Sequence, residues 1–261
     1  NLTSYLLLSK NQQSLQFSKP LAERDLTAPI QYLKDGLAQI PEGLRFPTNE
    51  ELRLRLELAE QMILAKYWEE GPDSAGKNQE LEDAFTSLKE RNAPGSHVDF
   101  LQALQLYEQQ DWGKAIPALV EAREELLDNN LLSLRINMML ATAYGQTGNL
   151  QLQLRALERA KELNPLMIAV RVQLANALAR AGRADEAIED LNLTSMSVDG
   201  VASQLARLYI HQMQNRPVQS RKWDAVRKQM TRILDLLDKT GRKFSPDWTT
   251  VKTAYVHTYK N

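Results

Sequence analysis

Three histidines, His97, His211 and His257, are the residues of this chain whose side chains most readily bind metals or transfer protons near neutral pH. None of them lies in an HxxxH or HExxH pattern, in which one turn of helix places two imidazoles on the same face. Cysteine is absent, which excludes disulfides and thiolate metal sites. The sequence therefore predicts no metal site.

Motifs that place reactive groups are also missing. The sequence contains no P-loop, no GxGxxG and no GxSxG, which position phosphates, dinucleotides and nucleophilic serines. Adjacent carboxylates such as Glu124-Glu125 and Asp185-Glu186 fall on predicted surface helices, where acidic residues are ordinary solvated or first-turn charges. We find no catalytic constellation, and we predict that the chain is not an enzyme and uses no cofactor.

The segments between these residues have the pattern of amphipathic helices. Apolar residues recur at spacings of three and four along nearly every long segment, and no segment alternates as a strand does. Turn-forming residues separate the segments. The main breaks are Pro41-Glu42-Gly43, Gly71-Pro72-Asp73, Ala93-Pro94-Gly95-Ser96, Asp128-Asn129-Asn130, Asn164-Pro165 and Gly241.

One spacing indicates how the helices are arranged. The stretch NMMLATAYGQTG at 137–148 is followed thirty-four residues later by RVQLANALARAG at 171–182. A Leu-Ala pair opens the matching part of each, and Gly148 and Gly182 end it. A fixed period of this size is typical of stacked helical hairpins.

These two units resemble the tetratricopeptide repeat family, whose unit is a 34-residue helix-turn-helix. The matches are close in Leu134–Met167 and Ile168–Val201, and looser in Ser96–Leu127 and in a unit that begins at Gln204 and carries an insertion around Asn215–Ser220. The residues that carry the resemblance are Ala141, Tyr144, Ala160 and Pro165 in the first unit, and Leu174, Ala175, Leu178 and Ala187 in the second.

The resemblance implies an all-α fold: an α-solenoid, or superhelix, of antiparallel helix-turn-helix hairpins with a C-terminal capping helix. We expect divergent helical hairpins, degenerate repeats, over 1–95 and the repeat array over 96–239. The capping helix is expected within 240–261, with Ser245 as its N-cap and Pro246 at its first position. Together they would form one continuous solenoid.

The resemblance also implies a binding groove, because the first helices of such hairpins line a concave face that holds a peptide. Asn176 and Arg207 fall at equivalent places in successive hairpins, where an amide can bond a peptide backbone and a guanidinium can hold a carboxylate. A groove that also carries Met and Val suits a partly apolar peptide or helix. The candidate groove residues are Met138, Thr142, Val172, Gln173, Asn176, Ser203, Gln204 and Arg207.

We therefore expect a non-enzymatic scaffold or adaptor for protein-protein interaction. Its partner would be another protein or peptide, or another part of the same longer chain, since a chain that starts at Asn1 rather than Met reads as a processed or partial sequence. No apolar run approaches the roughly 18 residues of a membrane span, so no transmembrane segment is predicted. The absence of cysteine leaves both the cytoplasm and the periplasm open.

Two alternatives stay open. From residue 201 onward the chain has 12 Lys and Arg against 4 Asp, so nucleic acid or an anionic surface is a second, less favoured partner. Its candidate contacts are Arg221, Lys222, Arg227, Lys228 and Arg232. The chain could also be a helical accessory domain of a larger enzyme.

Overall fold

The computed structural model describes residues 2–41, 46–70, 79–193 and 200–259, with backbone alone at 68–70. Throughout these residues the regular structure is helical, so the all-α prediction is confirmed. The predicted breaks at 42–43 and 71–73 lie outside the described residues. The chain divides into two compact units, Asn1–Thr147 and Gly148–Asn261.

The described residues of the first unit form seven α-helices. Helix α3 packs against α1, α2, α4 and α5, and α6 packs against both α5 and α7. Leucines fill much of the interior, and those with essentially no exposed surface include Leu33, Leu54, Leu104 and Leu119. The helices are α1 (Leu2–Phe17), α2 (Thr27–Ala38), α3 (Asn49–Glu70), α4 (Gln79–Glu90), α5 (Gly95–Glu108), α6 (Trp112–Glu125) and α7 (Asn130–Gln146).

In the second unit, the part of the chain that the structure describes forms six α-helices. Helix α9 packs against α8, α10 and α11, and α13 packs against both α11 and α12. Its interior includes Leu157, Leu191, Leu205 and Met230. The helices are α8 (Leu150–Leu163), α9 (Ile168–Arg180), α10 (Ala184–Asn192), α11 (Val201–Gln214), α12 (Trp223–Lys239) and α13 (Pro246–His257).

Local chemistry explains many of these helix ends. The side chains of Asp111, Asn129, Asn149 and Ser245 each accept a hydrogen bond from a backbone N–H in the first turn of the helix that follows. Glycines at 148 and 182 have φ of +74° and +78°, the left-handed conformation that ends a helix at little cost to glycine. Side-chain caps and glycine turns thus place the boundaries close to the breaks read from the sequence.

The 34-residue spacing corresponds to buried positions. Leu174, Ala175, Leu178 and Ala187 are buried where α9 and α10 pack together. The other close unit, 134–167, is divided between the two compact units. In it Leu140, Ala141 and Tyr144 are buried on α7, and Leu154, Leu157 and Ala160 are buried on α8.

The chain contains the same turn twice, after α1 and after α11. Both turns read Lys/Arg-Pro-Leu/Val-X-X-Arg, at 19–24 and 216–221, and both form a short 3-10 turn after the proline. In each, the arginine Nε donates to the carbonyl before the proline at 3.0 Å, and Nη2 donates to the last carbonyl of the preceding helix. The arginine thereby satisfies a carbonyl that a helix end leaves without an intrahelical partner. The insertion suggested at 215–220 is this turn.

Helices α1, α2 and α3 approach closely at Gly36. A Cβ added there would lie 2.9 Å from Cβ of Tyr5 and 3.3 Å from Cδ1 of Leu54. Although alanine favours helix by about 1 kcal/mol over glycine, the clash with an atom beside the backbone of α1 should dominate. We expect Gly36→Ala to lower the free energy of unfolding by about 1–3 kcal/mol, measured by urea denaturation.

Gly113 provides the matched control for this substitution. It also lies in a helix, α6, but an added Cβ would meet nothing nearer than Oδ1 of Asp111 at 3.7 Å. Gly113→Ala should therefore stabilise the protein by up to about 1 kcal/mol through helix propensity. Two changes of the same sign would contradict the close approach at Gly36.

Candidate partner-binding surfaces

Six of the eight groove candidates lie on α9 and α11, which pack against each other in the second unit. Nε2 of Gln204 donates a hydrogen bond of 2.6 Å to Oδ1 of Asn176, so the two helices are joined by an amide pair. Gln204 is only 6% exposed, whereas the Asn176 side chain is exposed. The buried amide thus fixes the orientation of the exposed one.

The neighbours of this amide pair differ in exposure. Gln173 on α9 and Arg207 on α11 are exposed, and Val172 is half-buried. Two exposed hydrogen-bonding side chains, an oriented amide and an apolar residue therefore share the surface formed by α9 and α11. Asn176 is the oriented amide. We call Val172, Gln173, Asn176 and Arg207 together the α9–α11 surface.

The sixth candidate, Ser203, is engaged inside the unit. Its backbone N–H and its hydroxyl both donate to Oδ1 of Asp247, the second residue of α13. The other carboxylate oxygen accepts from the N–H of Gly200 at 2.9 Å and from Nη2 of Arg242 at 2.9 Å. Burial by itself raises the pKa of Asp247, but the hydrogen bonds from Ser203 and Gly200 and the charge of Arg242 outweigh it, so the net pKa lies below 3.8.

Asp247 therefore holds α13 on the N-terminus of α11. The carboxylate is 4% exposed and faces the N–H groups that begin a helix, where negative charge is favoured. Ser203 therefore contributes to the contact between α11 and α13. The exposed candidates of the second unit are Gln173, Asn176 and Arg207.

The remaining two candidates, Met138 and Thr142, lie on α7 in the first unit. Both are half-buried, and the Thr142 hydroxyl donates to the carbonyl of Met138 at 3.2 Å. Thr142 lines a cavity of about 550 Å³. The eight candidates thus form two sets, one in each compact unit.

The cavity beside Thr142 combines aromatic and polar walls. Phe17, Tyr67, Tyr107 and Trp112 line it, and its charged lining residues are Arg24 and Glu108. The rings of Tyr107 and Trp112 meet edge to face, with centroids 5.5 Å apart. We call it the aromatic cavity.

The carboxyl group of Glu108 has an unusually high pKa in this cavity. Burial raises its pKa to about 7, the charge of Glu60 adds to the increase, and Arg135 acts against it. Arg135 is itself ion-paired with Glu60, with Nη1 and Oε1 2.7 Å apart. Within the part of the chain that the structure describes, no basic side chain forms a salt bridge with Glu108.

A second cavity of the first unit, about 280 Å³ in volume, combines apolar walls with charged side chains. Glu57 and Glu60 on α3 line it, and each is paired: Glu57 with Lys10 at 3.3 Å and Glu60 with Arg135. Burial raises the pKa of Glu60 and lowers that of His97. Its apolar walls are Leu6, Leu56, Phe100, Leu101 and Leu132.

Neither cavity was identified from the sequence. Their lining residues come from four or more helices and connections, and many of them lie within 1–95, where the repeat is expected to be degenerate. Tyr107, Glu108 and Trp112 flank a single turn, and this local concentration of aromatic and acidic residues is the one sequence pattern that points to the aromatic cavity.

The basic candidates for an anionic partner divide into two groups. Arg221 and Arg227 are half-buried and donate to backbone carbonyls, Arg227 through Nη1 to Thr258 at 3.0 Å. Lys222, Lys228 and Arg232 are exposed. Two of the five proposed contacts thus contribute to the fold itself.

Comparison with known proteins adds no family: neither a protein-family model nor a curated protein matches the sequence. Among the described residues, no helix is both long and apolar enough to span a bilayer. In the same residues, no three His, Asp or Glu side chains are grouped as metal ligands would be.

Proposed function

We propose that this chain is a non-enzymatic scaffold for protein-protein interaction, built as a tetratricopeptide-like α-solenoid. Its first helices would form a groove that binds a peptide or helix of a partner. The observation that carries the proposal is the α9–α11 surface, where an oriented amide lies among exposed Gln173 and Arg207 and half-buried Val172. Such a mixture can bond a peptide backbone and also contact an apolar side chain.

The surrounding packing supports this proposal. Helices joined by short turns pack against each other in α5–α6 and in α9–α10. The alternate helices α1, α3 and α5 form a row of neighbours, as do α9 and α11. In a solenoid of hairpins, each repeat contacts only its neighbours, and such rows provide extended binding surfaces.

The test uses two double variants of the same composition. Gln173→Ala/Arg207→Ala removes an exposed amide and an exposed arginine from the α9–α11 surface, while Gln151→Ala/Arg155→Ala removes the same pair of types from exposed positions on α8. We expect affinity capture from a host lysate to retain a protein with the native chain and with the α8 variant. The surface variant should reduce its retention about tenfold or more, since buried arginine contacts are often hot spots.

Both variants replace exposed side chains, so circular dichroism should show unchanged helicity. If all three chains retain the same proteins equally, the α9–α11 surface does not bind the partner. If the α8 variant alone loses the protein, the binding face has been assigned to the wrong side of the unit.

A further inference from the structure

The aromatic cavity of the first unit contains a carboxylate, that of Glu108, which forms no salt bridge with any described residue. Tyr107 and Glu108 end α5, Trp112 begins α6, and Tyr67 reaches the same space from α3. Within the described residues, Glu108 has no salt-bridge partner, because Arg135 is bonded to Glu60 instead. When it is ionised, a carboxylate only accepts hydrogen bonds, and one that lies beside aromatic rings is complementary to a cation.

Aromatic rings favour this charge as well. The faces of Trp and Tyr carry negative electrostatic potential, and a guanidinium or ammonium within about 6 Å of a ring centroid is attracted to it. The cavity wall already contains one such contact, since Arg24 lines the cavity and its guanidinium carbon lies 5.2 Å from the centroid of Phe17. Arg24 is held there by the carbonyls of Phe17 and Lys19.

The space also fits a side chain rather than a single ion. A volume of about 550 Å³ is within the range of roughly 300–1,000 Å³ seen for sites that enclose organic groups. A long apolar stem can pack between the rings while its charged end meets the carboxylate. Lysine and arginine are the protein side chains that have both parts.

We propose that the aromatic cavity binds an arginine or lysine side chain of the partner, with the cationic end at Glu108 and the stem against Tyr67, Tyr107 and Trp112. The inference rests on the scaffold function, since it assigns one anchor residue to the partner of that scaffold. It concerns the first unit, whereas the α9–α11 surface lies in the second.

Protonation of Glu108 gives the binding a pH dependence. The charged groups around it are Glu60 on α3, Arg135 on α7, Arg24 in the lining of the same cavity, and Lys66 on α3, which lines a smaller pocket together with Glu108. Tyr67 and Tyr107 also face it. With a pKa of about 7 in the free protein, Glu108 is mostly protonated below that pH and mostly ionised above it. A cation binds the ionised form, so its affinity should rise about tenfold from about pH 6 to about pH 8.

The experiment titrates the full chain with N-acetyl-arginine amide, N-acetyl-lysine amide and the neutral analogue N-acetyl-citrulline amide. Nuclear magnetic resonance follows the indole N–H of Trp112 and the ring of Tyr107. We expect saturable shifts with the cationic probes at millimolar concentration, as suits ligands of this size, and no saturable shift with citrulline. The relative affinity of the arginine and lysine probes identifies which cation the cavity prefers.

Two variants complete the test. Glu108→Gln keeps the size of the side chain but removes its charge, and it should weaken binding about tenfold and abolish the pH dependence. Glu125→Gln, at an exposed position on α6, should leave both unchanged. Equal binding of citrulline and arginine, or pH-independent binding to the native chain, would overturn the proposal even if Glu108→Gln failed to fold.

The two proposals fail in distinguishable ways. If the cationic probes do not bind while the Gln173/Arg207 variant still loses a captured protein, the scaffold function stands and the aromatic cavity has another role. If the probes bind as expected but no protein depends on the α9–α11 surface, the groove assignment in the second unit is wrong.

Discussion

Replacing Asp247 with alanine should destabilise the second unit by about 3 kcal/mol. The carboxylate is 4% exposed and accepts hydrogen bonds from Gly200, Ser203 and Arg242. Its removal takes away the acceptor of the N–H groups at the start of α11 and the charge partner that Asp247 offers to the largely buried guanidinium of Arg242. Removing one partner from a buried charged pair commonly costs several kcal/mol for this reason.

The measurement is urea denaturation followed by resonances of α11 and α13, which reports on the second unit by itself. Asp235→Ala provides the control, because Asp235 is an exposed aspartate on the neighbouring α12. We expect that control to change the free energy of unfolding by less than about 0.5 kcal/mol. Similar effects of the two substitutions would show that Asp247 does not hold α13 in place.

The stabilisation by Asp247 should also depend on pH. Since the folded-state pKa lies below 3.8, the unfolded state binds a proton more readily than the folded state. The contribution is therefore complete above the unfolded pKa and is lost as the pH falls through the folded pKa. The difference in stability between the native chain and Asp247→Ala should be constant near neutral pH and shrink below about pH 4.

The helices could be predicted because their causes are local. Apolar spacing, N-caps such as Asn149 and Ser245, and left-handed glycines such as Gly148 and Gly182 act within a few residues along the chain. The buried positions Leu174, Ala175, Leu178 and Ala187 also follow from the 34-residue period. Local causes of this kind are visible in one sequence.

The contacts that position the candidate surfaces could not be predicted, because they join residues far apart in the chain. In the sequence, Asp247 reads as an ordinary acidic residue in the first turn of α13. Its main hydrogen-bond partner, Ser203, precedes it by 44 residues. Glu108 looks like an ordinary exposed helix-end residue until the rings around it are placed. Ser203 illustrates the consequence: its groove position was inferred from the family geometry, while the structure gives its hydrogen bonds to α13.

Arg24 and Arg221 show an intermediate case. The sequence shows that the segment after α11 departs from the repeat, but it does not show what this segment does in the structure. Only the hydrogen bonds show that both arginines complete helix ends, which also explains why Arg221 is half-buried within a basic region. Basic residues counted from a sequence therefore overstate the charge that is free to meet an anionic partner.

A second buried carboxylate, Glu51, should be as important to the first unit as Asp247 is to the second. Glu51 is 0% exposed and accepts from Nε of Arg55 at 2.9 Å and from Nε and Nη2 of Arg91 at 2.8 and 2.9 Å. The pKa of Glu51 lies below 4.5, and the hydrogen bonds from Arg91 are the largest cause. Burial raises this pKa, while the hydrogen bond and the charge of Arg55 lower it further. This two-pronged contact ties the residue after α4 to the first turn of α3.

Helix α4 depends on that contact more than its neighbours do. It packs chiefly against α3, and its buried side chains are Leu81 and Leu88. Glu51→Ala should therefore lower the free energy of opening of α4 by about 3 kcal/mol, since it removes the two charge-assisted hydrogen bonds that join α3 to Arg91. Native-state hydrogen exchange of the α4 amides should accelerate about 100-fold, while exchange in α6 changes little.

The adjacent residue supplies the control. Glu50 is also acidic and lies in the same first turn of α3, so it interacts similarly with the helix dipole, but its side chain is exposed. Glu50→Ala should leave exchange in α4 nearly unchanged, and Arg91→Lys, which keeps the charge but loses the two-pronged geometry, should accelerate it less than Glu51→Ala does. If Glu50→Ala and Glu51→Ala accelerate exchange equally, helix-dipole electrostatics rather than the Arg91 contact holds α4. If neither does, α4 is held by its other contacts, such as the packing of Leu81 and Leu88 and the hydrogen bond from Arg55 to Ser87.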